Sequence, residues 1–124
     1  MSAGATHAIN YEKLFASIDR MDVESFLAFI TPNGTFRFGS APPAQGHAAI
    51  GEAVGGFFES IAGLQHDVQR IVSDDGVSVI EGEATYTRHD GSRISLPFVN
   101  VFELEGTLIS DYRIYIDIAP LFNS

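Results

Sequence analysis

The sequence predicts an α+β domain in which three N-terminal helices pack on a strongly curved antiparallel sheet, forming a cone around an internal apolar pocket. Two observations predict this class. Apolar residues recur at helical spacing up to Gly63 and then alternate at strand spacing to the end of the chain. The later segments are joined by short Gly-containing turns, which connect antiparallel neighbours. Helices followed by a meander of strands is the element order of an α+β fold.

The first two helices are separated by recognisable start and stop signals. Apolar residues fall on one helix face from Ile9 until Arg20-Met21-Asp22 interrupts the pattern, and Asp22 is a suitable N-cap for a second helix. Thr31-Pro32-Asn33-Gly34 predicts the end of that helix and a turn, because the residue before a proline disfavours the helical conformation.

The remaining elements follow from the change in hydrophobic period. Residues 35–38 predict a short strand, and residues 47–61 predict a third helix after a loop rich in glycine and proline. Small residues at Gly82 and Ala84 suit a strongly curved sheet, which leaves a cavity between the sheet and the helices. Four longer strands are predicted at residues 65–72, 77–88, 93–104 and 108–118.

Length, charge and composition limit the function classes. The 124 residues predict one domain over residues 9–122, preceded by a flexible terminus at residues 1–8. A net charge of −9 leaves too few basic residues for binding nucleic acid or an anionic membrane. With no cysteine and no histidine–carboxylate cluster at metal-ligand spacing, we expect no metal and no cofactor. The lack of a signal-peptide pattern or a bilayer-length apolar run predicts a cytoplasmic location.

Strand alternation places the apolar residues of the sheet on one face, towards the helices. A cavity walled by such residues, with few polar groups, is typical of sites for small molecules. The predicted apolar lining comprises Phe36, Phe38, Val68, Leu96, Phe98, Ile114 and Ile116. Asn100 lies in an otherwise apolar run and needs a hydrogen-bond partner from either the backbone or a ligand. Tyr86 and Tyr112 are interpreted either as ordinary sheet packing or as hydroxyl donors to a ligand oxygen.

The order of elements resembles the nuclear-transport-factor-two-like superfamily, in particular its SnoaL-like and scytalone-dehydratase-like enzymes, over residues 9–122. The passages that carry the resemblance are residues 17–22, residues 30–38, residues 46–50 at the start of the third helix, and residues 111–117 in the last strand. The superfamily includes ketosteroid isomerases, limonene-epoxide hydrolases, polyketide cyclases, dehydratases and non-catalytic binding modules. Fold alone therefore does not select the chemistry, and the site residues must.

The epoxide-hydrolase pattern of that superfamily does not fit this chain. Its pocket arginine and aspartate on the second meander strand correspond to Gly82 and Ala84, and its other aspartate corresponds to Ile114. Its tyrosine and asparagine on the early strand correspond to Phe36 and Phe38. Without carboxylates at these positions no group can activate water, so we reject an epoxide hydrolase of the limonene type.

The dehydratase pattern fits in part. The resemblance implies that Asp19 and His66 face each other in the pocket and that Asn100 joins them, whereas the family's tyrosines correspond to Ile18 and Phe38. An imidazole held by a carboxylate can accept or donate a proton near neutral pH. The structural alternative is that Asp19 lies at a solvated helix junction and that His66 is a surface residue at the start of a strand.

Two functions remain at this point. In the first, the protein is a cofactor-independent lyase or isomerase for a small, apolar, oxygenated molecule. There His66 is the general acid and base, Asp19 orients it, and Asn100 or Tyr112 holds a substrate oxygen. In the second, it is a non-catalytic module that binds a small molecule in the same pocket, or a dimerisation domain of the same fold.

The outer face of the sheet predicts a homodimer, which the resemblance also implies. This face mixes apolar and charged residues: Glu81, Glu83, Thr85, Val99, Val101, Arg113 and Tyr115. A glutamate buried in such an interface needs a partner, and Arg113 on a neighbouring strand is the predicted partner of Glu81 or Glu83.

Overall fold

The computed structural model describes residues 9–122, so the terminus predicted to be flexible at residues 1–8 lies outside the described residues. The helices are α1 (Tyr11–Asp19), α2 (Val23–Leu27), α3 (His47–Glu59) and α4 (Ala119–Phe122). The strands are β1 (Ile30–Phe38), β2 (Ala44–Gln45), β3 (Gly63–Asp74), β4 (Val77–Thr87), β5 (Arg93–Glu105) and β6 (Leu108–Tyr115).

The six strands form one curved sheet in the order β2-β1-β6-β5-β4-β3, with the helices packed on it. Strands β3 to β6 are consecutive antiparallel neighbours, so the predicted meander and the α+β class are confirmed. One pairing differs from the prediction, because β1 lies parallel to β6. This pairing places β1 directly beside β6 in the sheet, although β2 to β5 separate the two strands in the sequence.

Side-chain caps fix the starts of the first two helices. The Asn10 Oδ1 accepts a hydrogen bond from the Lys13 backbone N at 3.0 Å, and the predicted N-cap Asp22 accepts one from the Ser25 N at 3.2 Å. Met21, between the two helices, has a φ of 55°, which breaks the helical path. Within residues 9–122 no helix is long and apolar enough to cross a membrane.

The predicted turn at residues 31–34 is wrong, because these residues belong to β1. The pairing of β1 with β6 is interrupted between Ile30 and Thr35, which leaves the intervening residues as an irregular stretch within the strand. Such a stretch tolerates Pro32, which has no backbone N–H to contribute to a ladder. Gly34 is required for packing, since a Cβ there would lie 2.6 Å from the Ile30 Cγ2.

A bulge in β3 explains the glycine in the middle of β4. The register between β3 and β4 shifts between Val68 and Arg70, opposite Gly82. A Cβ at Gly82 would lie 2.2 Å from the backbone O of Asp67, so only glycine fits against the bulged strand. Bulges bend and twist a strand, and this one bends the edge of the sheet that carries His66.

The predicted ion pair on the outer face is also wrong. Arg113 hydrogen-bonds to Glu103 at 2.9 Å and also contacts Asp111, whereas Glu81 is 3.7 Å from Arg70. The register explains the difference, because Glu103 lies opposite Asp111 on β6, two residues from Arg113. The hydrogen bond to Glu103 is the main cause that raises the pKa of Arg113.

Candidate functional site

A cavity of about 550 Å³ lies between the inner face of the sheet and the helices. Nine of the twelve residues that the sequence predicts for the site line this cavity; Asp19, Leu96 and Val68 do not. The six apolar and aromatic members are Phe36, Phe38, Phe98, Tyr112, Ile114 and Ile116. The other three lining residues are His66, Tyr86 and Asn100, which lie on the consecutive strands β3, β4 and β5.

The strand register gives the depth of each polar group in the cavity. The lining residues at one end, such as Asp117 and Phe122, are exposed and form the mouth, whereas Phe26 and Tyr112 at the other end are buried and form the floor. His66 pairs with Ala84, which pairs with Leu96, whereas Asn100 pairs with Ile114. Leu96, which lies at the level of His66, and Asn100 are four residues apart on β5, which corresponds to about 13 Å along the strand. His66 therefore lies on the wall and Asn100 near the floor.

Asp19 and His66 are in direct contact. The Asp19 Oδ1 lies 2.6 Å from the His66 Nδ1, and the two carboxylate oxygens accept further hydrogen bonds from the His66 backbone N at 3.2 and 3.1 Å. Because an ionised carboxylate only accepts hydrogen bonds, the proton of the imidazole lies on Nδ1 in this contact. The Nε2 is then the ring nitrogen that remains for the cavity.

The imidazole of His66 is fixed by aromatic packing as well. Its ring centroid lies 4.9 Å from that of Phe15 and 5.2 Å from that of Phe98, with the Phe98 ring nearly perpendicular. The His66 side chain is 10% exposed and the Asp19 side chain 26% exposed. Asp19 reaches the ring from behind, as the last residue of α1, and so acts on the cavity only through His66.

Tyr86 and Tyr112, which we call the cavity tyrosines, present neutral hydroxyls. Both residues are buried, and neither hydroxyl bonds to another residue in the described part of the chain. Burial raises the pKa of Tyr86, and burial together with the nearby Tyr86 raises the pKa of Tyr112. The cavity tyrosines therefore remain protonated hydrogen-bond donors throughout the neutral pH range.

Asn100 is a buried amide without a protein partner. The residue is 2% exposed, and its Oδ1 accepts no hydrogen bond from any residue between 9 and 122. Its neighbours across the strands are Ile80 and Ile114, which offer no polar side chain. The backbone partner allowed by the sequence is therefore not supplied to the Oδ1, and the residue lines the cavity.

The described residues that line the cavity carry no fixed positive charge. Among the described residues that line the cavity there is no lysine or arginine, and Asp117 at the mouth is the carboxylate. No group of three or more histidine and carboxylate side chains within residues 9–122 could hold a metal ion. The chemistry that these side chains can perform is proton transfer and hydrogen bonding to a mostly apolar molecule.

A family model described as the SnoaL-like domain matches residues 11–112. The chain belongs to this family. No protein in the comparison with curated sequences matches the chain. The matched residues include the cavity floor and the Asp19–His66 contact but end before the segment that forms the mouth.

Solved structures of SnoaL-like and related proteins share the fold. An NTF2-like protein of unknown function from Burkholderia pseudomallei K96243 is 17% identical with a TM-score of 0.82, and the match covers 90% of this chain and 91% of that one. TerC, crystallised with polyporic acid, is 17% identical with a TM-score of 0.80 and coverages of 90% and 92%. A candidate SnoaL-like polyketide cyclase from Jannaschia sp. CCS1 is 16% identical with a TM-score of 0.75 and coverages of 91% and 88%. These identities establish the fold and leave the activity open.

The mouth of the SnoaL-like cavity is formed by residues that the sequence analysis missed. The chain after β6 folds back over the opening, and Arg88 holds it by donating hydrogen bonds to the backbone O of Leu121 at 2.9 Å and of Pro120 at 3.0 Å. Phe122 lines the mouth and is 57% exposed. Strand periodicity predicts β6 to residue 118, but β6 ends at Tyr115, and nothing in that period indicates α4.

The helical side of the cavity was missed for a different reason. Val54 and Phe57 of α3 and Phe26 of α2 line the cavity. The apolar faces of these helices predict that the three residues are buried, but do not distinguish a cavity lining from the core. Two residues predicted for the apolar lining, Leu96 and Val68, do not line it. Leu96 is buried in the core between helices and sheet, and Val68 lies at the β3 bulge.

Proposed function

We propose that this SnoaL-like protein is a cofactor-independent lyase or isomerase that acts on a small, largely apolar, oxygenated molecule. The observation that carries the proposal is the 2.6 Å contact between the Asp19 Oδ1 and the His66 Nδ1, with the imidazole exposed to an aromatic cavity. Similarity to polyketide-cyclase candidates supports the reaction type but does not identify a substrate.

The proposed chemistry needs only one mobile proton. The His66 Nε2 removes a proton from a carbon next to a substrate carbonyl, and the Asp19 carboxylate stabilises the imidazolium that forms. A neutral tyrosine hydroxyl donates a hydrogen bond to the enolate oxygen. In a dehydration, the same Nε2 proton then protonates a leaving hydroxyl, which departs as water. In an isomerisation, the proton returns to a different carbon, so neither reaction needs a co-reactant.

The test is turnover by variants of His66. A panel of β-hydroxy ketones is followed by the ultraviolet absorbance of the unsaturated ketone, and His66→Ala is expected to lower kcat by at least about 100-fold. Ligand affinity is expected to change little, because the cavity stays apolar. The matched control is His89→Ala, since His89 is exposed in the β4–β5 turn. Unchanged turnover in His66→Ala would refute the acid–base role.

A second test reads the imidazole without any substrate. Nitrogen-15 NMR of the His66 ring is expected to show the proton on Nδ1 in the neutral form, because Nδ1 faces Asp19. Asp19→Asn is expected to change that tautomer population, whereas Asp67→Asn, at an exposed position on β3, leaves it unchanged. A predominantly Nε2-protonated ring in the unmodified protein would contradict the proposed orientation.

A second candidate function is a binding module without catalysis. It is favoured by the positions where related enzymes carry tyrosines, because Ile18 and Phe38 line this cavity without a hydroxyl. In that case ligands bind, no member of the ketone panel is turned over, and His66→Ala changes affinity only modestly.

We also propose that a second copy of the chain covers the outer face of the sheet. Val72, Val79 and Tyr115 are exposed there, and Val79 pairs with Val101 in the middle of the face. A two-fold axis would bring this apolar centre against its own copy. Sedimentation is expected to give a dimer for the natural chain and a monomer for Val79→Lys, and a monomeric natural chain would refute the proposal.

A further inference from the structure

Tyr86 carries a hydroxyl that has no partner in the described part of the chain. Its side chain lines the cavity, and its ring packs edge to face against that of Phe57, with the centroids 5.8 Å apart. Among residues 9–122 the Asn100 Oδ1 is the fully enclosed polar side-chain atom without a partner, so the unpartnered Tyr86 hydroxyl is not enclosed. Because Tyr86 as a whole is only 3% exposed, the accessible part of this hydroxyl faces the cavity.

The register of the sheet places Tyr86 beside His66. His66 lies opposite Ala84, and Tyr86 follows Ala84 by two residues on the same face of β4. Such diagonal neighbours on adjacent strands are about 7–8 Å apart, a distance that aromatic side chains can bridge. Both side chains line the cavity, so one small functional group can contact the imidazole and the hydroxyl together.

Tyr112, the other cavity tyrosine, stands farther from His66. Tyr112 pairs with Phe102, whereas Leu96 lies at the level of His66. Phe102 and Leu96 are six residues apart on β5, which corresponds to about 20 Å along the strand. The Tyr112 ring is fixed at the floor among three phenylalanine rings, at centroid distances of 4.3 to 5.3 Å. A group that reacts at His66 therefore has Tyr86 as its nearer hydroxyl.

Tyr86 also supplies a hydroxyl in a cavity that lacks others. Ile18 and Phe38, at the positions where related enzymes carry tyrosines, line the cavity without a hydroxyl. These two residues lie on α1 and β1, whereas Tyr86 lies on β4, next to the strand that carries His66. A substrate oxygen in this cavity therefore meets its donor on a different element from that of the related enzymes.

We infer that Tyr86 holds the carbonyl oxygen of the substrate while His66 removes a proton from the adjacent carbon. The inference rests on the proposed acid–base function and assigns a role that this function leaves open between two tyrosines. When the C–H bond breaks, its proton goes to the His66 Nε2 and its electron pair moves onto the carbonyl oxygen, to which the Tyr86 hydroxyl donates a hydrogen bond. Burial raises the pKa of Tyr86, so the hydroxyl keeps its own proton.

The position of Tyr86 also sets the direction of the substrate. Arg88, which holds α4 at the mouth, follows Tyr86 by two residues, so Tyr86 lies on the mouth side of His66. The carbonyl oxygen then points towards the mouth, and the apolar body of the substrate fills the aromatic floor. The substrate class is an apolar carbonyl compound with its carbonyl group at the outer end.

Infrared spectroscopy of a bound ketone tests the hydrogen bond without turnover. The probe is 2-acetylnaphthalene with a carbon-13 carbonyl, which places one carbonyl at the end of an apolar body. On binding to the natural chain, its carbonyl stretch is expected to shift to lower wavenumber than in hexane. Tyr86→Phe is expected to abolish most of this shift, whereas Tyr115→Phe, at an exposed position on the outer face, retains it. Tyr86→Phe leaves no partner unpaired among the described residues, so the variant is expected to fold.

Turnover of the β-hydroxy ketone panel then separates the two tyrosines. Tyr86→Phe is expected to lower kcat by about 100-fold and to change KM by less than about threefold, because the hydrogen bond strengthens as charge develops on the oxygen. Tyr112→Phe is expected to lower kcat by less than about tenfold. A larger loss of kcat in Tyr112→Phe than in Tyr86→Phe would overturn the assignment.

The remaining outcomes distinguish this inference from the proposed function. An unshifted carbonyl stretch, a shift that survives in Tyr86→Phe, or failure of the ketone to bind would each overturn the inference. Turnover that depends on His66 but not on Tyr86 would overturn the inference and support the acid–base function. A carbonyl shift that depends on Tyr86, in a protein that turns over no ketone of the panel, would support the carbonyl contact and refute the lyase or isomerase function.

Discussion

Replacing Asn100 with leucine is expected to raise the free energy of unfolding, although it removes a polar side chain from the centre of the sheet. The amide is buried and its Oδ1 has no partner in residues 9–122, so the folded state bears a desolvation cost that the unfolded chain avoids. Leucine has the same number of heavy atoms in the same branched arrangement. Its larger methyl groups can extend into the adjoining cavity.

The magnitude follows from the cost of an unsatisfied group. A buried donor or acceptor without a partner costs about 1–3 kcal/mol, so Asn100→Leu is expected to stabilise the ligand-free protein by about that amount. For a chain of this length, 1 kcal/mol corresponds to a shift in Tm of about 3–6 °C. A shift of this size is larger than the experimental error of a thermal unfolding measurement.

The assay is urea unfolding of matched variants, with Ser78→Ala as the comparison. Ser78 is also fully buried, but its hydroxyl bonds to Tyr11 and, at 2.8 Å, to the Ser73 Oγ. Removing a satisfied hydroxyl strands its partners, so Ser78→Ala is expected to destabilise by about 1–2 kcal/mol. The two variants thus change stability in opposite directions. A destabilised Asn100→Leu would refute the reasoning, because it would mean that the fold itself satisfies the amide.

Three further predictions concern other parts of the structure. Burial raises the pKa of Tyr86, so its stabilising effect is complete below the unfolded pKa of about 10 and is lost above it. Tyr86→Phe is therefore expected to reduce the loss of stability above pH 10 by about 1.4 kcal/mol per pH unit, whereas the exposed Tyr115→Phe leaves the loss unchanged. Gly82→Ala is expected to destabilise the protein by at least about 2 kcal/mol, because the new Cβ would lie 2.2 Å from a backbone oxygen. Gly56→Ala, whose Cβ would have nothing within 4 Å, is expected to stabilise the protein by about 0.5–1 kcal/mol. Equal urea midpoints for the two variants would contradict both expectations. Arg88→Met is expected to speed amide exchange in α4 by at least tenfold in mass-spectrometric measurements, and unchanged exchange would show that packing alone holds α4 in place.

Local sequence patterns predicted the elements whose ends are decided by neighbouring residues. The Asp22 cap and the three short turns of the meander depend on a few adjacent residues, and they lie where the sequence predicts them. The irregular part of β1 could not be predicted in this way. Pro32 and Gly34 favour a turn locally, but the parallel pairing with β6, more than 70 residues later, holds the segment in the sheet.

In the candidate site, too, the features set by local sequence could be predicted and those set by tertiary packing could not. Strand alternation places Asn100 on the inner face, where it lines the cavity. The partner of His66 came only from the resemblance, because the distance between the end of α1 and β3 depends on how the helix packs. The mouth could not be predicted, since it depends on hydrogen bonds from Arg88 to backbone oxygens, which any sequence could supply.

Three residues in or close to the cavity are unfavourable choices by local rules. Asp19 puts a carboxylate at the C-terminal end of α1, against the helix dipole, and Asn100 puts an unsatisfied amide in an apolar row. Gly82 weakens a central strand that lies between the strands carrying His66 and Asn100. A sequence selected for stability alone would avoid Asp19 and Asn100 at these positions, yet the two occur at one cavity rather than scattered over the fold. This coincidence favours a site for a ligand over a core, because the Asp19 carboxylate orients an imidazole whose Nε2 gains a partner only when a ligand enters the cavity.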